Sequence, residues 1–204
     1  MPEAAPAPPP HRNTGSVSAP PEVPSLVSKA LRMSLERGYL HVTRSETGRL
    51  LAALAATRTG AIAECGTGCG VGAAWLRSGA GPETRVITAE LDGELAHSVM
   101  DMFAGDNIEV IHADWTTLAE HAPFSLLFLD AGSAKNAPRE EVIALVEPGG
   151  IVVLDDFVPT ASWPPLAGGR VDLVRQEWLS DERFASVDLM VADDTAVIIA
   201  VRRS

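Results

Sequence analysis

Apolar positions along this chain change their period several times, and each change marks an element. Leu26, Ala30, Met33 and Leu35 recur at helical spacing, and Gly38 ends that segment. Ser45 suits the N-cap of a second helix carrying Leu50, Leu51 and Leu54, which Gly60 breaks. Short apolar runs then alternate with helical patterns. Ala61–Cys65, Arg85–Glu90, Glu109–Asp114, Ser125–Asp130 and Ile151–Asp155 read as strands. Val71–Leu76, the stripe Leu91, Leu95, Val99 and Met102, and Val142–Val146 read as the helices between them, the last stopped by Pro148-Gly149-Gly150. This alternation predicts an α/β fold with a parallel sheet covered on both faces. The rhythm breaks near the end. Leu173, Trp178 and Leu179 lie on a helix, and Ser186–Ala192 and Thr195–Arg202 are separated only by Asp193-Asp194. A two-residue turn between apolar runs predicts a hairpin, so the last strand runs antiparallel.

Composition bounds the function. The 204 residues carry a formal net charge of −11 and no basic stripe, which argues against nucleic acid as a partner, because such binders neutralise phosphates with Lys and Arg. A small-molecule substrate is expected instead. Cys65 and Cys69 sit inside a glycine-rich segment. They form neither a disulfide framework nor a zinc site, and a reduced cytoplasmic compartment fits them. No apolar run approaches the roughly 20 residues of a membrane helix. Residues 1–24 are proline-rich and lack the apolar core of a signal peptide. They read as a disordered tail before one domain over residues 25–204.

The stretch Glu64-Cys65-Gly66-Thr67-Gly68-Cys69-Gly70-Val71-Gly72 follows a strand and opens a helix. Glycines there let the backbone turn sharply and let a ligand approach closely. From Gly66 the spacing is G-x-G-x-G; from Gly68, Gly70 and Ala73 also satisfy a dinucleotide pattern. Glu64 discriminates, since it would repel a pyrophosphate and attract an ammonium group. Glu90 ends the next strand, where a carboxylate accepts hydrogen bonds from both hydroxyls of a ribose. Asp114 ends the third, placed for an exocyclic adenine amine, with Trp115 beside the ring. Each acid alone reads as a solvated strand end or a helix cap; three in succession after a glycine loop point to a nucleoside ligand carrying positive charge.

Ile62–Gly70 resembles the first motif of the class I S-adenosylmethionine-dependent methyltransferases. The resemblance continues through Glu90, Asp114, Phe128-Leu129-Asp130 and Gly149–Asp156. It implies a Rossmann-like sheet of seven strands, mostly parallel with the last antiparallel, helices on both faces and an N-terminal helical cap. The two leading helices and the Asp155-Asp156 pair resemble the catechol and caffeoyl-CoA O-methyltransferase branch. S-adenosylmethionine contacts are then implied at Glu64, Gly66, Thr67, Gly68, Gly70, Val71, Glu90, Leu91, Asp114, Trp115 and Asp130, together with a small phenolic or catechol-like acceptor and a homodimer.

Asp130, Asp155 and Asp156 gather beyond the carboxyl ends of two strands. Three like charges there need neutralising, and a hard divalent cation is the simplest agent. The resemblance implies Mg²⁺ on Asp130, Asp155 and Asp156, with Asp156 standing where the family has Asn. The family also places a general-base Lys three residues after the first Asp. Here that position is Ser133, and Lys135 lies two further on. Asp130 and Lys135 are the catalytic candidates. His41 reads as a surface-loop histidine, with contact to substrate the alternative. Phe157–Arg170, with Trp163, reads as a connection able to wall the acceptor pocket. Two other functions share the glycine loop: a nicotinamide-dependent oxidoreductase, and a cofactor-binding protein without transfer chemistry.

Overall fold

The computed structural model describes residues 22–204, so the proline-rich segment lies, up to Pro21, outside the described residues. Helix α1 (Ser25–Arg37) ends at Gly38, whose φ of 62° is left-handed. Its buried face is Val27, Ala30 and Ser34, with Leu26 and Met33 half-buried beside them, and of the expected stripe Leu35 alone departs, at 83% exposed. Ser34 is tolerated inside because its hydroxyl donates to the Ala30 carbonyl at 2.9 Å. Helix α2 (Ser45–Ala55) starts one residue off the expected cap. Arg44 holds the N-cap position, with no side-chain capping bond. Gly48 lets α2 lie against the Trp75 ring, where a Cβ would collide.

The expected alternation follows: β1 (Ile62–Cys65), α3 (Val71–Gly79), β2 (Val86–Glu90), α4 (Gly93–Met102), β3 (Ile108–His112), a 3₁₀ segment (Trp115–His121), β4 (Phe124–Leu129), α5 (Gly132–Lys135), α6 (Arg139–Leu145) and β5 (Val146–Phe157). A small hairpin, β6 (Leu166–Ala167) and β7 (Arg170–Val171), precedes α7 (Leu173–Ser180), β8 (Phe184–Ala192) and β9 (Thr195–Arg202). Seven strands form one sheet in the order β3-β2-β1-β4-β5-β9-β8. Only β9 runs against the others, pairing antiparallel with both β5 and β8. The two central strands, β1 and β4, are buried along their whole length, as a strand covered by helices on both faces must be. One apolar cluster fills each face, around Leu127, Leu154 and Trp178 on one side and Leu51, Trp75 and Phe128 on the other.

Three local departures from expectation matter for the site. Asp114 lies beyond β3, which ends at His112. Leu91 belongs to no helix and is 69% exposed, because Asp92 caps α4 through the Glu94 and Leu95 amides. The pairing of β5 with β9 shifts register between Leu154 and Phe157, and Asp156 inside that shift has φ 68°. Such a bulge turns one side chain out of the strand's alternation. Among the described residues, no helix is long and apolar enough to cross a membrane.

Candidate active site

Strand order reverses between β1 and β4, and a crevice opens beyond the carboxyl ends of the strands there. It holds a cleft of about 540 Å³, within the range of small-molecule sites. Gly66 and Gly68 form one wall, Glu90 another, and Asp130, Ala131, Gly132 and Asp156 a third. The remaining wall is the α1–α2 loop, from Tyr39 to Arg44. Gly66 has φ 94°, and a Cβ on it would lie 3.0 Å from the Ala131 backbone nitrogen. That position admits glycine alone, and the bare backbone there forms the cleft wall.

Glu90 is pinned. One carboxylate oxygen accepts from the Gly68 amide at 2.8 Å and the other from the Asp92 amide at 2.9 Å. Each carboxylate oxygen has more than one lone pair, so both can still accept from neighbouring hydroxyls. The same bond ties the glycine loop to the end of β2.

Glu64 sits elsewhere than the sequence suggests. It is wholly buried beneath the glycine loop and does not line the cleft. The Thr88 hydroxyl donates to Glu64 Oε2 at 2.7 Å, which leaves the Thr67 hydroxyl to donate to Thr88 Oγ1 at 2.6 Å. This relay fixes Thr67 within the loop. Glu64 Oε1 has no hydrogen-bond partner, and burial pushes its carboxyl well above the usual range, with the Thr88 bond offsetting part of that. Gly70 and Val71 open α3 behind the loop; the Gly70 amide donates to the Thr67 carbonyl at 2.8 Å, and Val71 is buried. Asp114 acts as a cap: its Oδ1 accepts from the Thr116 amide at 3.0 Å and the Thr116 hydroxyl at 2.8 Å. Trp115 packs largely inside the core.

The acids of β4 and β5 separate. Asp130 faces the cleft, and burial pushes its carboxyl up to about 7, with Lys135 pulling down and Asp156 and Asp155 pushing up. Asp155 turns into the protein, where it is buried and accepts from the Thr47 hydroxyl at 3.1 Å. Asp156 is exposed and pairs with Lys135, Nζ to Oδ2 at 3.0 Å; the same Nζ stands 3.9 Å from Asp130 Oδ1. The three acids implied as Mg²⁺ ligands therefore do not converge. Among the described residues no group of three or more His, Cys, Asp or Glu side chains is placed to hold a metal ion. The donor set does not fit a divalent cation, because Asp155 is buried and bonded to Thr47 and an ammonium lies beside Asp130 and Asp156.

A second cleft of about 410 Å³ adjoins the first. Lys135, Asp155 and Asp156 belong to its polar lining, and Phe157, Val171, Leu173 and Val174 to its apolar lining. Asp156 borders both clefts. Trp163 takes no part in either lining and is 65% exposed.

His41, expected as a surface-loop histidine, lines the cleft together with Tyr39 and Arg44, which the sequence does not single out. The Tyr39 hydroxyl would lie 2.8 Å from a Cβ on Gly68, and burial, then Glu90 and Asp130, push the phenol up. Arg44 makes a two-pronged pair with Asp194 at the β8–β9 turn, at 2.9 and 2.8 Å. No local spacing announces a partner 150 positions away.

Residues 63–157 match the model of a methyltransferase domain. The chain is 30% identical over 123 residues to the catechol O-methyltransferase of Mycobacterium tuberculosis, covering 56% of each chain, so it matches about half of that curated relative's length. A methyltransferase from Geobacter sulfurreducens superposes with a TM-score of 0.71 at 18% identity, covering 90% of this chain and 91% of that one. An O-methyltransferase from Bacillus cereus, solved in complex with SAH, gives 0.69 at 21% identity over 89% and 92%. Residues 63–157 thus match a methyltransferase domain, and the chain as a whole shares the fold of solved methyltransferases.

Proposed function

We propose that this chain moves the methyl group of S-adenosylmethionine to a hydroxyl oxygen of a small phenolic acceptor in the cytoplasm. The observation that carries the reading is the Glu90 carboxylate, held by the Gly68 and Asp92 amides at the edge of the donor cleft. Its free lone pairs suit the two hydroxyls of a ribose. The cleft's charge supports the same ligand: Glu90, Asp130 and Asp156 all line it, and the donor is a cation. When bound, S-adenosylmethionine supplies an electrophilic methyl group on a sulfonium.

The protein's share is orientation and exclusion of water. The relay from Thr67 through Thr88 to Glu64 holds the glycine loop against the donor. Tyr39 to Arg44 cover the cleft from the side of α1 and α2. The second cleft, lined by Phe157 and aliphatic side chains, suits an aromatic acceptor whose polar edge points to Lys135 and Asp156.

Calorimetric titration with S-adenosylhomocysteine is the direct test, with saturable binding at one site per chain expected. Absence of saturable heat sinks the reading. Enhanced NADH fluorescence on mixing would favour the oxidoreductase instead. A screen of phenols with a labelled methyl donor then separates a transferase from a protein that only binds the donor.

A further inference from the structure

We propose that Lys135 is the resident cation of this site, standing where the metal-dependent branch is expected to hold Mg²⁺, so that it receives the acceptor oxygen without a metal. The proposal rests on the methyl-transfer reading for its chemistry but on geometry for its evidence. The Lys135 side chain is only 13% exposed, and its Nζ lies 3.0 Å from Asp156 Oδ2 and 3.9 Å from Asp130 Oδ1. A positive charge so far removed from water is held by its carboxylates. Those two acids already share one cation. The third, Asp155, is committed to Thr47 inside the protein. A divalent ion needs six or more oxygen ligands at about 2.0–2.6 Å, and here it would have to displace the ammonium first.

Position gives the ammonium its work. Asp130 lines the donor cleft, Lys135 lines the second cleft, and Asp156 borders both. Lys135 therefore stands where a methyl donor and an acceptor would meet. An ammonium has three N–H donors, and one goes to Asp156. A free donor can hold a single acceptor oxygen and favour its ionised form. In the transfer, the oxygen–carbon bond forms as the carbon–sulfur bond of the sulfonium breaks. The donor leaves as a neutral thioether, and the hydroxyl proton passes to the exposed Asp156 carboxylate and on to water. A metal needs two adjacent hydroxyls to hold an acceptor in its coordination sphere, whereas an ammonium needs only one oxygen, so the acceptor class extends to a phenol with a single acidic hydroxyl.

The test reads metal binding apart from activity. Mn²⁺ is titrated into the purified full chain and its free electron-paramagnetic-resonance signal followed. The native chain is expected to leave Mn²⁺ free at equimolar concentration. Lys135→Met, which bares Asp130 and Asp156, is expected to take up one ion at least tenfold more tightly, with Lys135→Gln as the second variant should the first not fold. One Mn²⁺ bound per native chain, weakened tenfold by Asp156→Asn, would overturn the proposal. So would a Lys135 variant that binds no better than native, because the acids would then not be gathered around a cation. A failed S-adenosylhomocysteine titration would sink the transferase reading and leave the Mn²⁺ result standing.

Discussion

On the β1–β2 side of the cleft, Glu90 is held by backbone amides 2 and 22 positions away. On the β4–β5 side, the acids are held by side chains: Asp156 by Lys135 at a separation of 21 and Asp155 by Thr47 at 108. Backbone donors come with the fold, whatever the side chains elsewhere. Side-chain partners exist only if each residue is chosen. The donor half is therefore a property of the architecture, and the acceptor half is a property of this particular chain. The same contrast explains why the sequence follows the resembling family at Glu64, Glu90 and Asp114 yet departs from it at Ser133 and Asp156.

Breaking the donor half has the largest expected effect. Glu90→Ala strips the acceptor from two backbone amides and from the proposed ribose contacts. S-adenosylhomocysteine affinity falls ~100-fold, read by calorimetry, since each lost ribose hydrogen bond to a carboxylate is worth about 1.5 kcal/mol. An affinity within threefold of native would dissolve the contrast. Next comes the acceptor half alone. Leu173→Asp puts a charge into the lining of the second cleft, at a residue exposed enough to leave the fold intact. The KM for a phenolic acceptor rises ~10-fold, about 1.4 kcal/mol of lost apolar contact, while donor affinity stays unchanged. A matching loss of donor affinity would show that the two clefts are one.

Glu64 sharpens the comparison through pH. Its carboxyl is raised above 4.5 by burial, so the folded chain holds that proton more tightly than the unfolded one. The resulting stability is fully present below 4.5 and is lost as pH rises through the raised value. Denaturation midpoints of Glu64→Gln should therefore decline less than native from pH 4.5 upward; parallel curves would mean that Glu64 finds a partner after all. The smallest effect is at the edge of the cleft. Arg44→Ala removes an exposed pair with Asp194, which leaves unfolding midpoints unchanged but speeds donor release about twofold in stopped flow. A shifted midpoint would assign the pair to stability instead.

The order of elements was legible because burial imposes period. The wholly buried strands at Ile62 and Leu126 could be read as apolar runs interrupted only by Glu64 and Ser125, and the acidic turn at Asp193-Asp194 marked the hairpin. Helix faces were less legible: Leu35 looks like core but points to water, since Ser34 can pair with its own backbone and take the inner position. Roles of acids were legible only to the strand end. Whether Asp114 meets a ligand or caps a turn depends on Thr116, and whether Asp155 turns inward depends on a bulge and on Thr47, distant in sequence. Glu64 shows the same limit, for its place in a motif did not reveal that a loop lies over it.

The clasp between Arg44 and Asp194 joins the rim loop to the hairpin tip across open solvent. Charges in that setting feel the ionic atmosphere, whose screening length shrinks from about 10 Å at 0.1 M salt to about 3 Å at 1 M. High salt is expected to weaken this clasp and low salt to strengthen it.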